Sequence, residues 1–369
     1  MLPPKDAKVL VAMSGGVDSA VAASLLVDQG CECIGLTLRL VPEPGEKSVF
    51  EPCCGIEAAD DARRVCDALG IPHEVLHAVD RFDRDIIDYF AAEYAAGRTP
   101  NPCVRCNRMI KFGALYQRAN ELGAAYVAMG HYARLERRGA RWALRRAVHR
   151  PKDQSYVLAP LTQAQLRRAV FPLGAMTKED VRARAARFDF RVARKRESQE
   201  LCFVSDRDYA RFLETRRVAA TPGPILATDG RVLGQHKGLT HYTVGQRRGL
   251  GIAAEHPYYV VELDAKRNAV IVGPEEATYC ARFETGRLCW GGIPPRDTPF
   301  ACRTQIRSRH DAVPATVTPL AVPGSRVGAR VALDAPQRSV TPGQWAVFYD
   351  DDDYVLAAAP ILSFEPRAY

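Results

Sequence analysis

Short apolar runs alternate with stretches of helical periodicity through the first 130 residues of the chain. The apolar runs predict buried strands at 8–13, 33–38, 74–79 and 125–130. The helical spacing predicts helices between Gly16 and Gly30 and at 56–69, 83–95 and 108–122. Strands that alternate with helices of this length are typical of an α/β fold with a doubly wound parallel sheet. The ligands of such a sheet bind at the carboxyl ends of its strands.

Beyond residue 131 the elements become shorter, and β-forming residues come to dominate. The pattern predicts a hairpin around Gly139 and helices near 162–170 and 177–188. From about residue 221, strands separated by Gly- and Pro-containing turns predict a small, mostly-β module. The same pattern of strands separated by turns continues over 286–369 and predicts a C-terminal β-barrel.

Composition narrows the class of protein but not its function. The chain has 369 residues, of which 47% are apolar and 25% charged, as in a globular protein of two or three domains. Its apolar runs are shorter than the ~20 residues of a membrane span, and its beginning lacks the pattern of a secretory signal. We therefore expect a cytoplasmic protein with no membrane partner.

The charge pattern gives a modest indication of a polyanionic partner. The chain carries 51 basic and 43 acidic residues, for a net charge of +8. Its most basic stretch, 181–196, predicts either a solvated helix face or a surface that holds a nucleic-acid backbone. The four aspartates at 350–353 predict an exposed turn.

The glycine turn Ser14–Ser19, SGGVDS, lies between the first predicted strand and the first predicted helix. Paired glycines let backbone N–H groups approach an anion, and the start of a helix adds partial positive charge. The hydroxyl groups of Ser14 and Ser19 can bind phosphate oxygens. A carboxylate at Asp18 indicates a Mg²⁺ ion between it and the phosphates. No Gly-Lys-Ser/Thr follows, so the turn predicts a pyrophosphate site that differs from a Walker loop.

Eleven cysteines, an odd number, argue against a fully paired disulfide framework. Cys103 and Cys106 form a CxxC in a proline-containing segment, which predicts a rigid loop that presents both thiols. A separate thiol, Cys202, follows the basic stretch. Four nearby basic residues are expected to lower the pKa values of the CxxC thiols, namely Arg98, Arg105, Arg108 and Lys111.

The thiols leave three chemical interpretations open. Each cysteine could be buried and inert. A structural zinc site requires four ligands, and the chain has no second CxxC. Cys103, Cys106 and Cys202 would suit an iron–sulfur cluster with one open iron, although such clusters usually have four thiolate ligands.

The motifs resemble known proteins at two levels. SGGVDS resembles the signature of the PP-loop ATP pyrophosphatases, which implies ATP and Mg²⁺. The ordered set of motifs along the whole chain resembles the tRNA-specific 2-thiouridylases of the MnmA type. This set is MSGGVDS, GRTPNPCVRCNRMIKFG, MGHYAR, PKDQSYVLAPL, ELCF, GLTHYTVGQRRGLGI and SVTPGQWAVFY.

The resemblance implies an architecture and an activity. The expected domains are a PP-loop nucleotide-binding and catalytic domain at 1–205, a mostly-β central domain at 206–282 and a β-barrel at 283–369. The expected activity is ATP-dependent adenylation of the C2 oxygen of the wobble uridine in tRNA. Sulfur transfer from a cysteine persulfide then gives 2-thiouridine. The implied partners are tRNA with a wobble uridine, a persulfide sulfur donor protein and a disulfide reductant.

The resemblance also implies roles for individual residues. Cys202 is expected to carry the persulfide and Cys106 to be its catalytic partner, with a Cys106–Cys202 disulfide as the product. Expected ATP contacts are Ala12, Met13, Ser14, Gly15, Gly16, Val17, Asp18, Ser19, Leu38 and Gly130. Asn101, Pro102 and Cys103 are expected at the target base. Expected tRNA contacts are His131, Lys152, Asp153, Gln154, Arg309, His310 and Gln344.

One position departs from the family pattern. Many members have an aspartate where this chain has Cys103. If that aspartate serves as a base, this chain needs another or none. The third thiol also keeps the cluster alternative open. Three rival functions remain, namely a small-molecule PP-loop ligase, a non-catalytic tRNA-binding protein and a cluster-dependent sulfurtransferase.

Overall fold

The computed structural model describes most of the chain. The described residues are 2–42, 56–187, 201–204, 209–216, 218, 220–320 and 328–365. The second half of the predicted basic stretch, from residue 188 onward, lies outside them. No helix in these ranges is both long enough and apolar enough to cross a membrane.

The N-terminal domain is built on a five-stranded parallel sheet. Its strands are β1 (Lys8–Ala12), β2 (Glu32–Arg39), β3 (His73–His77), β4 (Tyr126–Ala128) and β7 (Ala169–Val170). They lie in the order β3-β2-β1-β4-β7, and every neighbouring pair is parallel. This is the predicted doubly wound sheet, with one strand more than the apolar runs indicated. β7 falls where a helix was predicted over 162–170, because only Gln163–Leu166 is helical there.

Helices cover both faces of this sheet. The α-helices in the described ranges, not all of which contact the sheet, are α1 (Val17–Asp28), α2 (Ile56–Ala68), α3 (Val79–Phe82), α4 (Asp88–Ala95), α5 (Pro102–Cys106), α6 (Phe112–Glu121), α7 (Ser155–Leu158), α8 (Gln163–Leu166), α9 (Lys178–Arg187) and α10 (Tyr209–Thr215). Two π-helical segments join neighbouring helices, Asp83–Ile87 before α4 and Asn107–Lys111 before α6. Short 3₁₀ turns lie at Arg150–Lys152, Leu239–His241 and Glu275–Thr278.

The side chains of successive β1 residues point to opposite faces of the sheet. Val9 and Val11 pack into the core shared with α1 and α2, whereas Leu10 packs into the core shared with α6. All three side chains are fully buried. A strand that is buried on both faces is apolar throughout, which explains why the run at 8–13 was readable from the sequence.

The CxxC lies on a helix, which corrects the prediction of a rigid loop. Asn101 accepts a hydrogen bond from the backbone N–H of Val104 at 3.3 Å and so caps α5 at its N-terminus. Pro102 occupies the first turn, where its missing N–H costs nothing. The prolines therefore start a helix, and Cys103 and Cys106 lie three residues apart on it.

The remaining strands form a hairpin, a central sheet and a barrel. The hairpin is β5 (Ala133–Arg138) with β6 (Arg141–Arg146). The central sheet has the order β10-β11-β8-β9, from β8 (Gly223–Ala227), β9 (Val232–His236), β10 (Tyr259–Asp264) and β11 (Ala269–Gly273). The barrel comprises β12 (Tyr279–Thr285), β14 (Phe300–Gln305), β15 (Val313–Pro319), β16 (Ala329–Arg338), β17 (Trp345–Tyr349) and β18 (Val355–Phe364). Pairing of β12 with β18 closes these six strands, and β13 (Cys289–Trp290) adds to β18 outside the closure.

The barrel is fastened to the N-terminal domain through the aspartates at 350–353. Arg138 pairs with Asp350, and the guanidinium of Arg145 donates to the backbone carbonyl of Asp352 at 2.9 Å. Arg150 pairs with Asp353. The prediction of a simple exposed turn was therefore incomplete, because basic residues of the hairpin and of the turn that follows it supply opposite charge.

Candidate active site: an anion-binding turn and two thiols

The glycine turn leads directly into α1 with its backbone donors open. Gly16 is the N-cap residue, and no side chain in the described ranges caps the helix there. Its first N–H groups therefore lack helical partners and can bind an anion. The hydroxyl of Ser19 donates to the Gly16 carbonyl at 2.9 Å and accepts from the Ser14 N–H at 3.2 Å. These bonds hold the turn in shape before any ligand binds.

Two glycines make contacts that no larger residue could make. A Cβ atom on Gly15, whose φ is +67°, would lie 2.3 Å from the Ala58 carbonyl oxygen. A Cβ atom on Gly130 would lie 2.7 Å from the carbonyl carbon of Asp18 and 2.8 Å from the Ser19 nitrogen. The end of β4 is therefore packed directly against the start of α1. This contact explains why a glycine is needed at position 130.

The other expected ATP positions lie at the carboxyl ends of neighbouring strands. Ala12 and Met13 follow from β1, and the Met13 carbonyl accepts a hydrogen bond from the Thr37 hydroxyl at 2.9 Å. Leu38 lies near the end of β2 and is only partly buried. Together with Gly130 these residues surround the switch point of the sheet, between β1 and β4.

Asp18 is held by two side chains that sequence reasoning did not identify. The ammonium of Lys178 lies 2.7 Å from Asp18 Oδ1, and the Tyr132 hydroxyl donates to the same oxygen at 2.8 Å. Lys178 is only 4% exposed although it begins a helix. The available signals were Thr177, a helix-start residue, and Tyr132 in the HYAR motif, but neither indicated a partner for Asp18.

A single cavity connects the glycine turn with one of the two catalytic thiol candidates. Its volume is about 1150 Å³, and Ser14–Asp18 and Cys202 both line it. The opposite wall comes from the barrel and includes Arg303, Gln305 and Arg309. Five of the expected tRNA contacts line the same cavity, namely Lys152, Asp153, Gln154, Arg309 and His310.

Several expected RNA contacts are already engaged within the chain. The Asp153 carboxylate accepts from the Ala147 N–H at 2.8 Å and from the Ser155 hydroxyl at 2.7 Å. Gln154 accepts from the Tyr132 N–H at 3.0 Å, and His310 lies 3.1 Å from Gln337 Oε1. These bonds orient the cavity wall.

His131, like His310, has a buried ring atom that lacks a partner among the described residues. It is 9% exposed, and its Nδ1 has no hydrogen-bond partner in the described part of the chain. Burial lowers the pKa of its imidazole well below the usual value, so the ring is neutral.

The segment before the CxxC is tied to the barrel. The Thr99 N–H donates to the Pro342 carbonyl at 2.9 Å, and the Gln344 side-chain amide donates to the Thr99 carbonyl at 2.9 Å. The expected target-base residues Asn101, Pro102 and Cys103 follow at once. They and Gln344 are not among the cavity-lining residues. The barrel therefore positions the start of α5.

Cys106 and Cys202 share one apolar cluster at the edge of the cavity. Cys106 is 7% exposed, and Cys202 packs against the same cluster while remaining partly exposed. Phe90 and Phe203 meet edge to face at a centroid distance of 5.3 Å within it. No disulfide joins the two thiols in this structure, so the disulfide expected as a product is not formed here.

Burial controls the acidity of these thiols, which overturns the expectation of low pKa values. It raises the pKa of Cys106 to about 11, against the opposing charge of Lys111. The same effect raises the pKa of Cys103, although part of that residue reaches the surface. Lys111 is the one cation of the four that acts on these thiols, since the other three bind elsewhere. Arg98 pairs with Glu93, Arg105 donates to the Asp85 carbonyl and Arg108 contacts Cys289 Sγ.

The donor atoms of the site fit a magnesium ion better than a cluster. Tyr132 and Lys178 both contact Asp18 Oδ1, and the Asp18 carboxylate would be the residue to hold a Mg²⁺ ion beside bound phosphates. Within the ranges that the structure describes, no three His, Cys, Asp or Glu side chains converge as metal ligands. Cys103, Cys106 and Cys202 are therefore not arranged here to hold an iron–sulfur cluster.

Comparison with known proteins covers all three domains. Residues 7–206 match the family described as the tRNA methyl transferase HUP domain. Residues 210–274 match the tRNA methyl transferase PRC-barrel domain, and residues 281–361 match the aminomethyltransferase beta-barrel domain.

Curated relatives match along nearly their whole length. A protein of Symbiobacterium thermophilum named tRNA-specific 2-thiouridylase MnmA is 47% identical over 366 residues, covering 97% of this chain and 93% of its own. A protein of Moorella thermoacetica with the same name is 50% identical over 355 residues, covering 93% and 96%. Among solved structures, a 4-thiouridine synthetase–RNA complex with bound ATP aligns over 57% of this chain and 50% of its own. Its identity is 14% and its TM-score 0.35, values at which the alignment says nothing further about this chain.

Proposed function

This chain belongs to the MnmA family of tRNA-specific 2-thiouridylases, and we propose that it thiolates the wobble uridine of tRNA at C2 in an ATP-dependent reaction. The observation that carries the proposal is the cavity lined by both the glycine turn and Cys202. An anion site and a thiol that open into one cavity suit a two-step reaction. ATP first activates the uridine O2, and a sulfur atom then attacks C2.

The first step activates a poor leaving group. The uridine O2 attacks the α-phosphorus of ATP, and pyrophosphate leaves with the bridging oxygen. The open N–H groups at the start of α1 and the hydroxyl of Ser14 bind the pyrophosphate. Asp18 would hold a Mg²⁺ ion, which would supply further charge neutralisation when bound. Lys178 and Tyr132 hold the Asp18 carboxylate toward this place.

The second step transfers sulfur from a persulfide on Cys202. In one route the outer sulfur attacks C2, AMP leaves with O2, and Cys106 then attacks Cys202 Sγ to release the thiocarbonyl sulfur. In the other route Cys106 attacks first and releases sulfide, which attacks C2. Both routes end in a Cys106–Cys202 disulfide, which an external thiol reductant reopens. Cys106 and Cys202 pack in the same apolar cluster, which supports their pairing.

The tRNA is held by the basic part of the cavity rim. Lys152 and Arg309 line the cavity together with His310 and do not need to move to face it. Charge contacts of this kind to phosphates make affinity fall as salt rises. The wobble base has to leave the anticodon stack to reach Asn101–Cys103, as is usual for sequence-sensitive RNA recognition.

The test is mass analysis of tRNA nucleosides after incubation with ATP, a persulfide donor and the protein. Cys106→Ser and Cys202→Ser should each abolish 2-thiouridine while tRNA binding stays within about threefold of wild type. Cys31→Ser is the matched control, because Cys31 lies beside Pro4, away from the cavity. Asp18→Ala should stop tRNA-dependent release of pyrophosphate. Full thiolation by either cysteine variant would refute its role.

A further inference from the structure

Lys111 is close in sequence to the CxxC thiols and lines the cavity that the glycine turn also lines. Its side chain lines the same cavity as Ser14–Asp18 and Cys202. It also ends the π-helical segment Asn107–Lys111, which begins directly after Cys106. A π-helical segment shifts the side chains that follow it relative to a regular helix, and such segments are frequent at functional sites. The segment that follows the CxxC thus places the side chain of Lys111 in the wall of the cavity that the glycine turn lines.

The charge of Lys111 acts on the two CxxC thiols and on His131, an expected tRNA contact. It opposes the rise in the pKa values of Cys103 and Cys106, and it adds to the lowering of the pKa of His131 that burial causes. His131 follows Gly130, which packs against the turn that is expected to bind ATP. Cys103 is one of the residues expected at the target base. The Lys111 side chain therefore acts on the CxxC thiols and on the residue after Gly130, and it lines the cavity of the glycine turn.

No anionic partner within the described residues neutralises Lys111. The other basic residues around the CxxC are bound elsewhere, as described above, whereas no ion pair of Lys111 with a described carboxylate is found. A half-buried lysine that lines a cavity and forms no ion pair with a described carboxylate is suited to an anionic ligand.

Two buried polar atoms near Lys111 also lack partners. Asn107 Oδ1 lies one helical turn before Lys111, and His131 Nδ1 belongs to the ring on which the lysine acts. Neither atom has a hydrogen-bond partner in the part of the chain that the structure describes. Buried polar atoms are nearly always paired in folded proteins, so both atoms indicate that a ligand completes this region.

We propose that Lys111 is a catalytic residue whose ammonium group binds the α-phosphate of ATP while that phosphate is transferred to the uridine. The proposal rests on the function proposed above. In this step the bond from O2 to the α-phosphorus forms, and the bond from the α-phosphorus to the oxygen that bridges to the β-phosphate breaks. Pyrophosphate leaves with that oxygen, and the N3 proton of the ring passes to water. The ammonium group stabilises the negative charge that builds up on the α-phosphate oxygens.

The same contact serves the second step. When sulfur attacks C2, AMP leaves with the O2 oxygen and carries away negative charge on the same phosphate. A cation placed at the α-phosphate stabilises the leaving group without a change of position. Lys178 cannot take this role as readily, because its ammonium group is already paired with Asp18.

The experiment compares Lys111→Met and Lys111→Arg with wild type in tRNA-dependent pyrophosphate release. Removing the ammonium group should lower kcat about 100-fold, as for loss of one preorganised donor to a transition state. The Kd values of ATP and of tRNA should change by less than about threefold, since the glycine turn and the cavity rim bind them. Lys111→Arg should recover part of kcat. Arg105→Met is the matched control on the same helix, because its guanidinium binds the Asp85 carbonyl and lies over Tyr89.

Each outcome decides a separate point. If wild-type protein releases no pyrophosphate with tRNA, the proposed function fails before Lys111 is tested. If wild type is active and Lys111→Met raises the KM for tRNA at unchanged kcat, Lys111 contacts the RNA backbone and the proposal is overturned. If the variant releases pyrophosphate normally but forms no 2-thiouridine, Lys111 serves the thiols alone, which also overturns it.

Discussion

The nucleotide end and the thiol end of the site differ in how far folding has prepared them for chemistry. At the nucleotide end, open N–H groups follow Gly16, and Gly15 and Gly130 hold the turn by contacts that only glycine allows. At the thiol end, Cys106 is buried among apolar side chains, and its pKa is raised to about 11. The turn is thus held in shape by internal contacts before a ligand binds. Thiol chemistry needs a change that exposes or deprotonates Cys106.

The largest expected effect tests the preformed nucleotide end. In Gly130→Ala the new Cβ would overlap the backbone at Asp18 and Ser19, so the start of α1 has to shift. A displacement of about 1 Å at a reacting centre costs roughly 100-fold in rate, and we expect at least that loss in tRNA-dependent pyrophosphate release. ATP affinity, measured by calorimetry, should fall as well.

A matched glycine provides the control for that experiment. A Cβ atom on Gly234, in the central sheet, would meet nothing within 4 Å. Gly234→Ala should therefore keep wild-type activity and a wild-type unfolding temperature. If Gly130→Ala kept wild-type activity as Gly234→Ala is expected to, the contact of Gly130 would not be what holds the turn. The nucleotide end and the thiol end would then not differ in how far folding prepares them.

A smaller effect is expected at the thiol end, in the alkylation of Cys106 by iodoacetamide. Raising the pKa from about 9 to about 11 lowers the thiolate fraction at pH 8 by about 90-fold. The greater nucleophilicity of a more basic thiolate offsets part of this, so the net slowing should be about tenfold relative to a free thiol. The rate should rise with pH up to about 11, because deprotonation is what burial opposes.

Peptide mass analysis after timed quenching gives the rate for Cys106 separately from the other thiols. Cys31 provides an internal reference, since it is partly exposed. An inflection near pH 7 for Cys106 would show a thiolate that is already prepared in the free protein. That result would contradict the difference between the two ends.

The two ends also differ in how well the sequence predicted them. The sheet and the glycine turn are local features, since a strand buried on both faces is apolar throughout and SGGVDS lies directly at its end. The helix that carries the CxxC was predicted as a loop, although Asn101 and Pro102 are ordinary helix-start residues. The prediction used the prolines as evidence of a stiff loop and overlooked that Pro102 occupies the first turn of a helix.

Other features depend on contacts between distant parts of the chain. Lys178 reaches Asp18 across 160 positions, and no local pattern links the two. The thiol pKa values follow from burial in a cluster that α4, α5 and α10 build together with Phe203. Basic residues near Cys106 in the sequence could not reveal that all but Lys111 bind elsewhere. Counting charges along the sequence therefore cannot predict thiol pKa values that depend on burial in the folded protein.

The smallest expected effect concerns the link between the thiol end and the barrel. The Gln344 amide donates to the Thr99 carbonyl at 2.9 Å and, at 3.5 Å, to the Pro100 carbonyl, so Gln344→Ala removes a shared contact that positions the CxxC helix. Loss of this contact costs about 1 kcal/mol, and local opening should speed the alkylation of Cys106 about fivefold in tRNA-free protein. Since Gln344 is also an expected tRNA contact, the measurement without tRNA separates the two roles. An alkylation rate equal to wild type would assign Gln344 to RNA binding alone. A faster rate with unchanged ATP affinity would show that the barrel holds the thiol end closed while the nucleotide end is independent of it.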